Sequence, residues 1–402
     1  MKTILILGAL LGSAMQVAYG YSFNDAIKRI ESHEAVGALK AKSAAFTEQG
    51  SSASSWGDPM VKLAAKNFPK DSLESDQSPM TGIEIGLSQK VALTNKYGNL
   101  KDSFEKLGEA TRHSSENKKN ELIKSFWEVI TNLNQLKEEI KINEENIVWI
   151  DKILKVSKKL YTNGKISQQG LLDLKIRKSE LDAALSSKEY EYKENESRLG
   201  YLLGLEGQLD LSTVPWKLSA TDSRVKKDFK ELALNANLDS KKFLLSAQKK
   251  GFVPDLTFSM GYTKRSNIDN KGDFVSASVA FPIPTSSTKY AAHSEAVHKK
   301  TMATKELKNY QRKKESQVEG LNFGINRVKK ELEILNNKTI KFSENSRDIT
   351  AKSYRYGRAS YVELLQSELK HQKLLIKRSM LKSQLTKKQI EKKFILGEKL
   401  YE

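Results

Sequence analysis

Five histidines and no cysteine bound the chemistry this chain can do. His33, His113, His293, His298 and His371 are scattered, and the closest two, His293 and His298, do not share a helix face as an i, i+4 pair would. Without thiols there can be no disulfide, no thiolate metal site and no lipidated N-terminal Cys. Phosphate-binding Gly-rich loops and nucleophile elbows are absent, so no catalytic residue, cofactor or metal ligand is assigned. What does recur is a spaced pattern, Y-x-x-G-x-x-S-x-x-x-L-L. It occurs first as Tyr161, Gly164, Ser167, Leu171 and Leu172, and again as Tyr354, Gly357, Ser360, Leu364 and Leu365. Its chemistry is conformational. A Gly just past a helix end supplies the left-handed cap, and a Ser three residues later can N-cap the next helix. Each copy predicts a tight turn between two helices.

The two copies lie 193 positions apart, and the same offset carries Leu203-Gly204 onto Leu396-Gly397 and Lys96-Tyr97 onto Lys289-Tyr290. One unbroken register over that span predicts two structural halves, 21–210 and 222–402, joined by a linker at 211–221 containing Trp216. Each half has the same order of elements. Helical segments are expected over about Phe23 to Gln49 and Asp228 to Lys250. Strand-like runs follow. The first surrounds Met60 to Ala65, and in the second Ile83, Ile85 and Leu87 alternate with small or polar neighbours. In the other half Phe252 to Tyr262 and Val275 to Ile283 alternate in the same way. Such strands face two environments, either lipid and water or the core and surface of a soluble sandwich. Two Pro-free helical runs come next, about Tyr97 to Tyr161 and Tyr290 to Tyr354. Leu122, Phe126, Val129, Leu133, Leu136 and Ile140 step by three or four, as a coiled-coil seam does. At 1.5 Å per residue each run predicts a rod of about 100 Å, with a returning helix after the turn.

The N-terminus predicts export. Lys2, the short apolar run Ile4 to Leu11 and Ala18-Tyr19-Gly20 read as a signal peptide over residues 1–20. No later stretch reaches the roughly 18 apolar residues of a membrane helix. With 38% hydrophobic and 29% charged residues, the composition suits long solvated helices better than one large globular core. The net charge of +19 would ordinarily raise nucleic acid as a partner. An exported chain rarely meets any, and the lysines are dispersed through helical patterns, so none is assigned.

Two long helical hairpins, two β-hairpins and a 193-residue repeat behind an export signal resemble the TolC family of outer-membrane efflux proteins over nearly all of the mature chain. Within it, Trp56-Gly-Asp-Pro59, Asn67-Phe68-Pro69 and Thr81-Gly82 to Gln89-Lys90 look most like the CzcC/CusC-type metal-efflux branch. Val91 to Lys96 departs from the Pro-rich segment usual there. The resemblance implies a mainly α fold with a β-barrel segment. It further implies a homotrimer in which each protomer gives four strands to a shared barrel and its helices to a hollow periplasmic tube. Such a channel sits in the outer membrane, in contact with its lipid, and extends into the periplasm. Its partners would be a periplasmic adaptor and an inner-membrane pump, in an efflux or type I secretion system. Leu256, Phe258, Ile83, Ile85 and Val279 would then face lipid, and Thr257 and Ser278 the lumen. The two turns would form the constriction and adaptor-docking tip, with Leu171, Leu172, Leu364 and Leu365 packed behind them. Glu363, six residues after Gly357, would place a ring of carboxylates there; an ordinary solvated first-turn acid is the other reading. The family's closing bond, a Tyr from one turn to an acid of the other, is not carried over. Tyr354 is present, but the matching acid position is Gly170, and Ala359 stands where an Arg is usual. A periplasmic coiled-coil adaptor and a soluble exported coiled-coil scaffold are the competing functions.

Overall fold

The computed structural model describes residues 21–204, 209–216 and 226–401. The expected signal peptide, and the linker beyond residue 216, lie outside the described residues. The elements run α1 (Phe23–Glu31), α2 (Glu34–Ala53), β1 (Met60–Lys66), β2 (Gly82–Val91), α3 (Lys96–Thr162) and α4 (Gln168–Leu203). After a short 3-10 turn at Leu211–Thr213 come α5 (Phe229–Lys250), β3 (Leu256–Arg265), β4 (Phe274–Ala280) and α6 (Ser287–Ile334). A π-turn over Leu335–Thr339 leads into α7 (Ile340–Arg355), and α8 (Tyr361–Leu396) closes the order. Helix, hairpin, rod and return helix therefore occur twice.

Four expectations are refined. The first helical segment is two helices, parted at Ser32 and His33. The second rod is interrupted by the π-turn, where Asn336-Asn337 supplies weak helix formers. Strand β3 starts at Leu256 rather than Phe252. Pro254 lacks a ladder N–H, and Phe252 packs instead on Tyr290 and His293 with ring centroids at 5.2 and 6.1 Å. Strand β4 stops at Ala280 because Pro282 and Pro284 follow.

Two compact units emerge, each drawing on both halves of the sequence. One holds α2, the start of α3, the strands, α5 and the start of α6. Its sheet is antiparallel in the order β1-β2-β3-β4. Ile85 pairs with Leu63 and Tyr262, and Phe258 with Val279, so one face is apolar across all four strands. Ile83, Ile85, Leu87, Phe258, Met260 and Val279 are exposed on it. The other face carries Gly86, Gly261, Ser88, Ser259 and Ser278 in facing pairs, with Glu84 bound to Lys66. Leu256 and Phe258 share the apolar face with Ile83, Ile85 and Val279, and Thr257 and Ser278 lie on the polar one.

The second unit holds α1, α3 from Lys119 onward, α4, the end of α6, α7 and α8. The Trp127 indole donates to the Leu400 carbonyl at 2.8 Å and packs with Phe23 and Trp216. Both ends of the described chain are thereby fastened to α3. Along α3, one side meets α4 through Lys178–Asp151 at 2.6 Å and Lys188–Glu139 at 3.3 Å. Another meets α8 through Gln372–Asn143 at 3.0 Å and Lys382–Glu138 at 2.9 Å.

Candidate functional site

Both turns belong to this second unit, and their backbones are alike. The N–H of Gly164 donates to Tyr161 O at 2.9 Å and that of Lys165 to Leu160 O at 2.8 Å. Gly357 donates to Tyr354 O and Arg358 to Ser353 O, both at 2.9 Å. Gly164 and Gly357 have φ of 68° and 69°, the left-handed region that costs Gly nothing. Ser167 and Ser360 then cap α4 and α8, each accepting from the backbone N–H three residues on, at 3.2 Å. This is the Schellman closure followed by an N-cap, repeated at the 193-residue offset.

Side chains break the symmetry. Tyr354 is 1% exposed and shares a 2.7 Å hydrogen bond with the Ser157 hydroxyl, whereas Tyr161 is 42% exposed. Leu364 is fully buried with Leu160, Leu174 and Tyr354, and Leu171 and Leu365 pack against that cluster. Leu172 does not join them. It is exposed, a third of a turn round α4 from Leu171 and on the side of exposed Ile176. The turn motif thus brings together Tyr354, Leu171, Leu364 and Leu365, and leaves Tyr161 and Leu172 outside.

Glu363 completes a capping box. It accepts from the Ser360 N–H at 2.7 Å and from the Ser360 hydroxyl at 2.9 Å. These bonds, the backbone one foremost, hold its carboxyl below the usual range. Gly170, at the matching position, has another use. The Tyr361 ring lies on it so closely that an added Cβ would meet Cδ1 at 2.8 Å. The Asp173 carboxylate nearby raises the Tyr361 hydroxyl above its ordinary value. The tyrosine that one hairpin lays against the other beside an acid is therefore Tyr361, over Gly170 and near Asp173, rather than Tyr354. Sequence reading missed both residues. The available signal was the side-chain-free Gly170 one turn ahead of an acid.

Further along α8 the two hairpins meet through buried polar groups. Glu368 is 2% exposed, and neither of its oxygens has a hydrogen bond among the described residues. The Arg347 Nε on α7 lies 3.9 Å away, and Arg177 on α4 is bonded to the neighbouring Gln372. Burial pushes the Glu368 carboxyl up to about 7, against the opposing pull of Arg347 and Arg177. His371, beside it, bonds the Ser343 hydroxyl through Nδ1 at 2.9 Å, and burial lowers its pKa. A cavity of about 540 Å³ opens next to His371, Arg347, Arg378 and Asn146. No group of three or more His, Cys, Asp or Glu side chains arranged to hold a metal occurs among the described residues.

No family model matches the sequence, and no curated protein resembles it closely enough to count. Solved structures do match. The outer-membrane protein VceC of Vibrio cholerae superposes with a TM-score of 0.78 at 14% identity, over 94% of this chain and 96% of that one. The chain has the fold of the outer-membrane efflux channels. A structure of CusC, described as forming a transmembrane channel, matches at 0.78 and 13% identity over 94% of each chain. The CmeC outer-membrane channel of Campylobacter jejuni matches at 0.74 and 12% identity, over 93% of this chain and 85% of that one. VceC and CusC fit this channel fold equally well, so the comparison does not single out the metal-efflux branch.

Proposed function

We propose that the chain is the outer-membrane exit duct of a tripartite efflux or type I secretion system, a passive conduit for exported solutes that closes as a homotrimer. The observation that carries this is the four-stranded sheet. It exposes one continuous apolar face, and its edge strands β1 and β4 have a partner on one side only. An open sheet cannot sit in lipid with unpaired edge amides, and copies related by cyclic symmetry remove the edges. The helical unit supports the same assembly. Phe342 and Ile349 on α7 and Tyr356 just past its end form an exposed stripe at seven-residue spacing, and Ile176, Tyr190 and Tyr201 are exposed on α4. Contacts through α3 and α8 leave these two faces free to meet α7 and α4 of neighbouring copies. The two turns would be the constriction and the docking surface for a periplasmic adaptor, which links the duct to an inner-membrane pump. Residues 21–210 and 222–402 would be the two repeats. Among the described residues no helix is long and apolar enough to cross a membrane, so the strands are the membrane-compatible element.

Fractionation and arginine scanning test this reading. The protein should sediment with outer membranes and cross-link as trimers; recovery as a soluble periplasmic monomer would overturn the proposal. Ile85→Arg, in mid-strand on the apolar face, should destabilise the assembled barrel by roughly 2–4 kcal/mol, and Ser278→Arg on the polar face by far less. The reverse order would invert the facing.

A further inference from the structure

The sheet has one end where the helices begin, and the side chains collected there differ from those at the other end. By register, the start of β1, the end of β2, the start of β3 and the end of β4 all lie at this end. Just beyond the strands, Trp56, Leu93, Val253, Phe281, Ile283 and Tyr290 are all exposed. The segments that carry them are held together. Thr94 donates to the Lys250 carbonyl at 3.4 Å, and Phe252 packs edge-on against Tyr290.

Five lysines stand in the same place: Lys90, Lys96, Lys249, Lys250 and Lys289. The acids beside them are Asp58 and Asp255. Asp255 is buried and already taken by Lys96 at 2.7 Å, Lys90 at 3.0 Å and the Tyr97 hydroxyl at 3.0 Å. Lys249, Lys250 and Lys289 make no ion pair among the described residues. At the opposite end Lys66 is held by Glu84, and Arg265 by Asp269 at 2.8 Å and by the Pro79 carbonyl at 2.6 Å, while Lys70, Lys264 and Lys271 stand among the acids Asp71, Glu74, Asp76 and Asp273. The asymmetry is one of charge, since the apolar face runs the length of the sheet.

We propose that this lysine collar binds the headgroups of anionic phospholipids in the membrane leaflet nearest the helices. The inference rests on the sheet being the membrane-embedded part of an outer-membrane channel. An aromatic and aliphatic rim sits at the depth where acyl chains give way to headgroups, and long lysine stems reach from it to phosphates. Each lysine near an anionic surface adds roughly fivefold to local lipid affinity, so three unpaired ones suffice for strong enrichment over a neutral lipid.

Trp56, exposed before β1 at the same end of the sheet, serves as the probe. The full-length protein is reconstituted in phosphatidylcholine bilayers containing about one-tenth phosphatidylglycerol, with either lipid brominated in turn. The Trp56 signal is taken as the difference from Trp56→Phe. Brominated phosphatidylglycerol should quench Trp56 several-fold more than its mole fraction predicts, and the excess should shrink at high salt. Lys249→Gln/Lys250→Gln/Lys289→Gln should reduce quenching to the mole-fraction value, and the triple Arg variant should keep the excess. Quenching by brominated phosphatidylcholine in the Gln variant shows that the barrel is still inserted. Mole-fraction quenching in the wild-type protein, or an unchanged excess in the Gln variant, overturns the collar. Absence of quenching by either lipid overturns the membrane reading on which it stands.

Discussion

The two turns share a backbone and differ in nearly everything attached to it. Hydrogen bonds, left-handed Gly and Ser cap repeat at one offset. The first turn, however, puts its Tyr outward and Gly at the sixth position after the cap glycine. The second buries its Tyr and puts Glu363 there. One turn farther along the return helix, exposed Lys175 corresponds to buried Glu368. What the two turns share is what the chain needs in order to reverse direction, and what differs is what their side chains touch. The second hairpin supplies the buried anchors Tyr354, Leu364 and Glu368, and the first supplies the platform of Gly170 and Asp173 on which Tyr361 rests.

The largest test of that asymmetry is the tyrosine pair. Tyr354→Ala removes a buried ring and its bond to the Ser157 hydroxyl, which keeps only the Ile153 carbonyl. It should destabilise the helical unit by about 3–5 kcal/mol. Tyr161→Ala, at the equivalent exposed position, should stay within about 0.5 kcal/mol in the isolated protomer. Thermal unfolding of the two variants checks this. Equal losses would mean that the first Tyr is buried by an interface and that the asymmetry belongs to the single chain alone.

Glu368 comes next. Its folded pKa of about 7 lies above the ordinary 4.5, so the packed hairpins hold a proton that separated hairpins release. The stability of this joint is therefore greatest where the carboxyl is protonated and falls as pH rises from 4.5 through 7. The loss should total roughly 3 kcal/mol, at about 1.4 kcal/mol per pH unit. Glu368→Gln keeps the shape, removes the titration and should flatten the pH dependence of unfolding over that window. A Lys175→Gln control at the equivalent exposed position should leave it unaltered. An unchanged slope in Glu368→Gln would assign the dependence elsewhere.

What was legible in the sequence was what is local. Gly164, Gly357, Ser167 and Ser360 fix the turns through their own backbone preferences, and alternation fixed the facing of Ile83, Ile85 and Phe258. The break at Ser32 and His33, the π-turn after Ile334 and the loss of Phe252 from β3 were not legible. In those places a weak local signal is decided by what packs nearby. The Leu pairs of the motif show the limit clearly. Leu171 and Leu172 read as one apolar step, yet a rotation of about 100° per residue sends them to opposite fates. Tyr361, Asp173 and the Glu368 joint lie farther from reach, because each requires knowing that α4 and α8 meet.

Glu363 is the smallest effect and the finest discriminator between the two turns. Its carboxylate is occupied by the Ser360 N–H and hydroxyl, which favours the ionised form, so the charge persists well into the acid range and the cap weakens only as pH falls through its lowered pKa. A ring of such carboxylates at a constriction would attract cations, since low-dielectric walls focus the field there. A capping role and a ring role predict different behaviour for two substitutions. Gln preserves the capping box and removes the charge, whereas Ala removes both. If the ring operates, Glu363→Gln and Glu363→Ala should shift the cation selectivity of single channels in planar bilayers alike. If Glu363 serves only to start α8, Gln should behave as wild type, and Ala should instead speed amide exchange at Ser360 to Glu363 without changing selectivity. Gly170→Glu, which would give the first turn the same acid, should fail to add a second ring. The Tyr361 ring occupies that space and would have to move away first, so a clean doubling of selectivity in this variant would show that the contact between the hairpins is looser than its geometry implies.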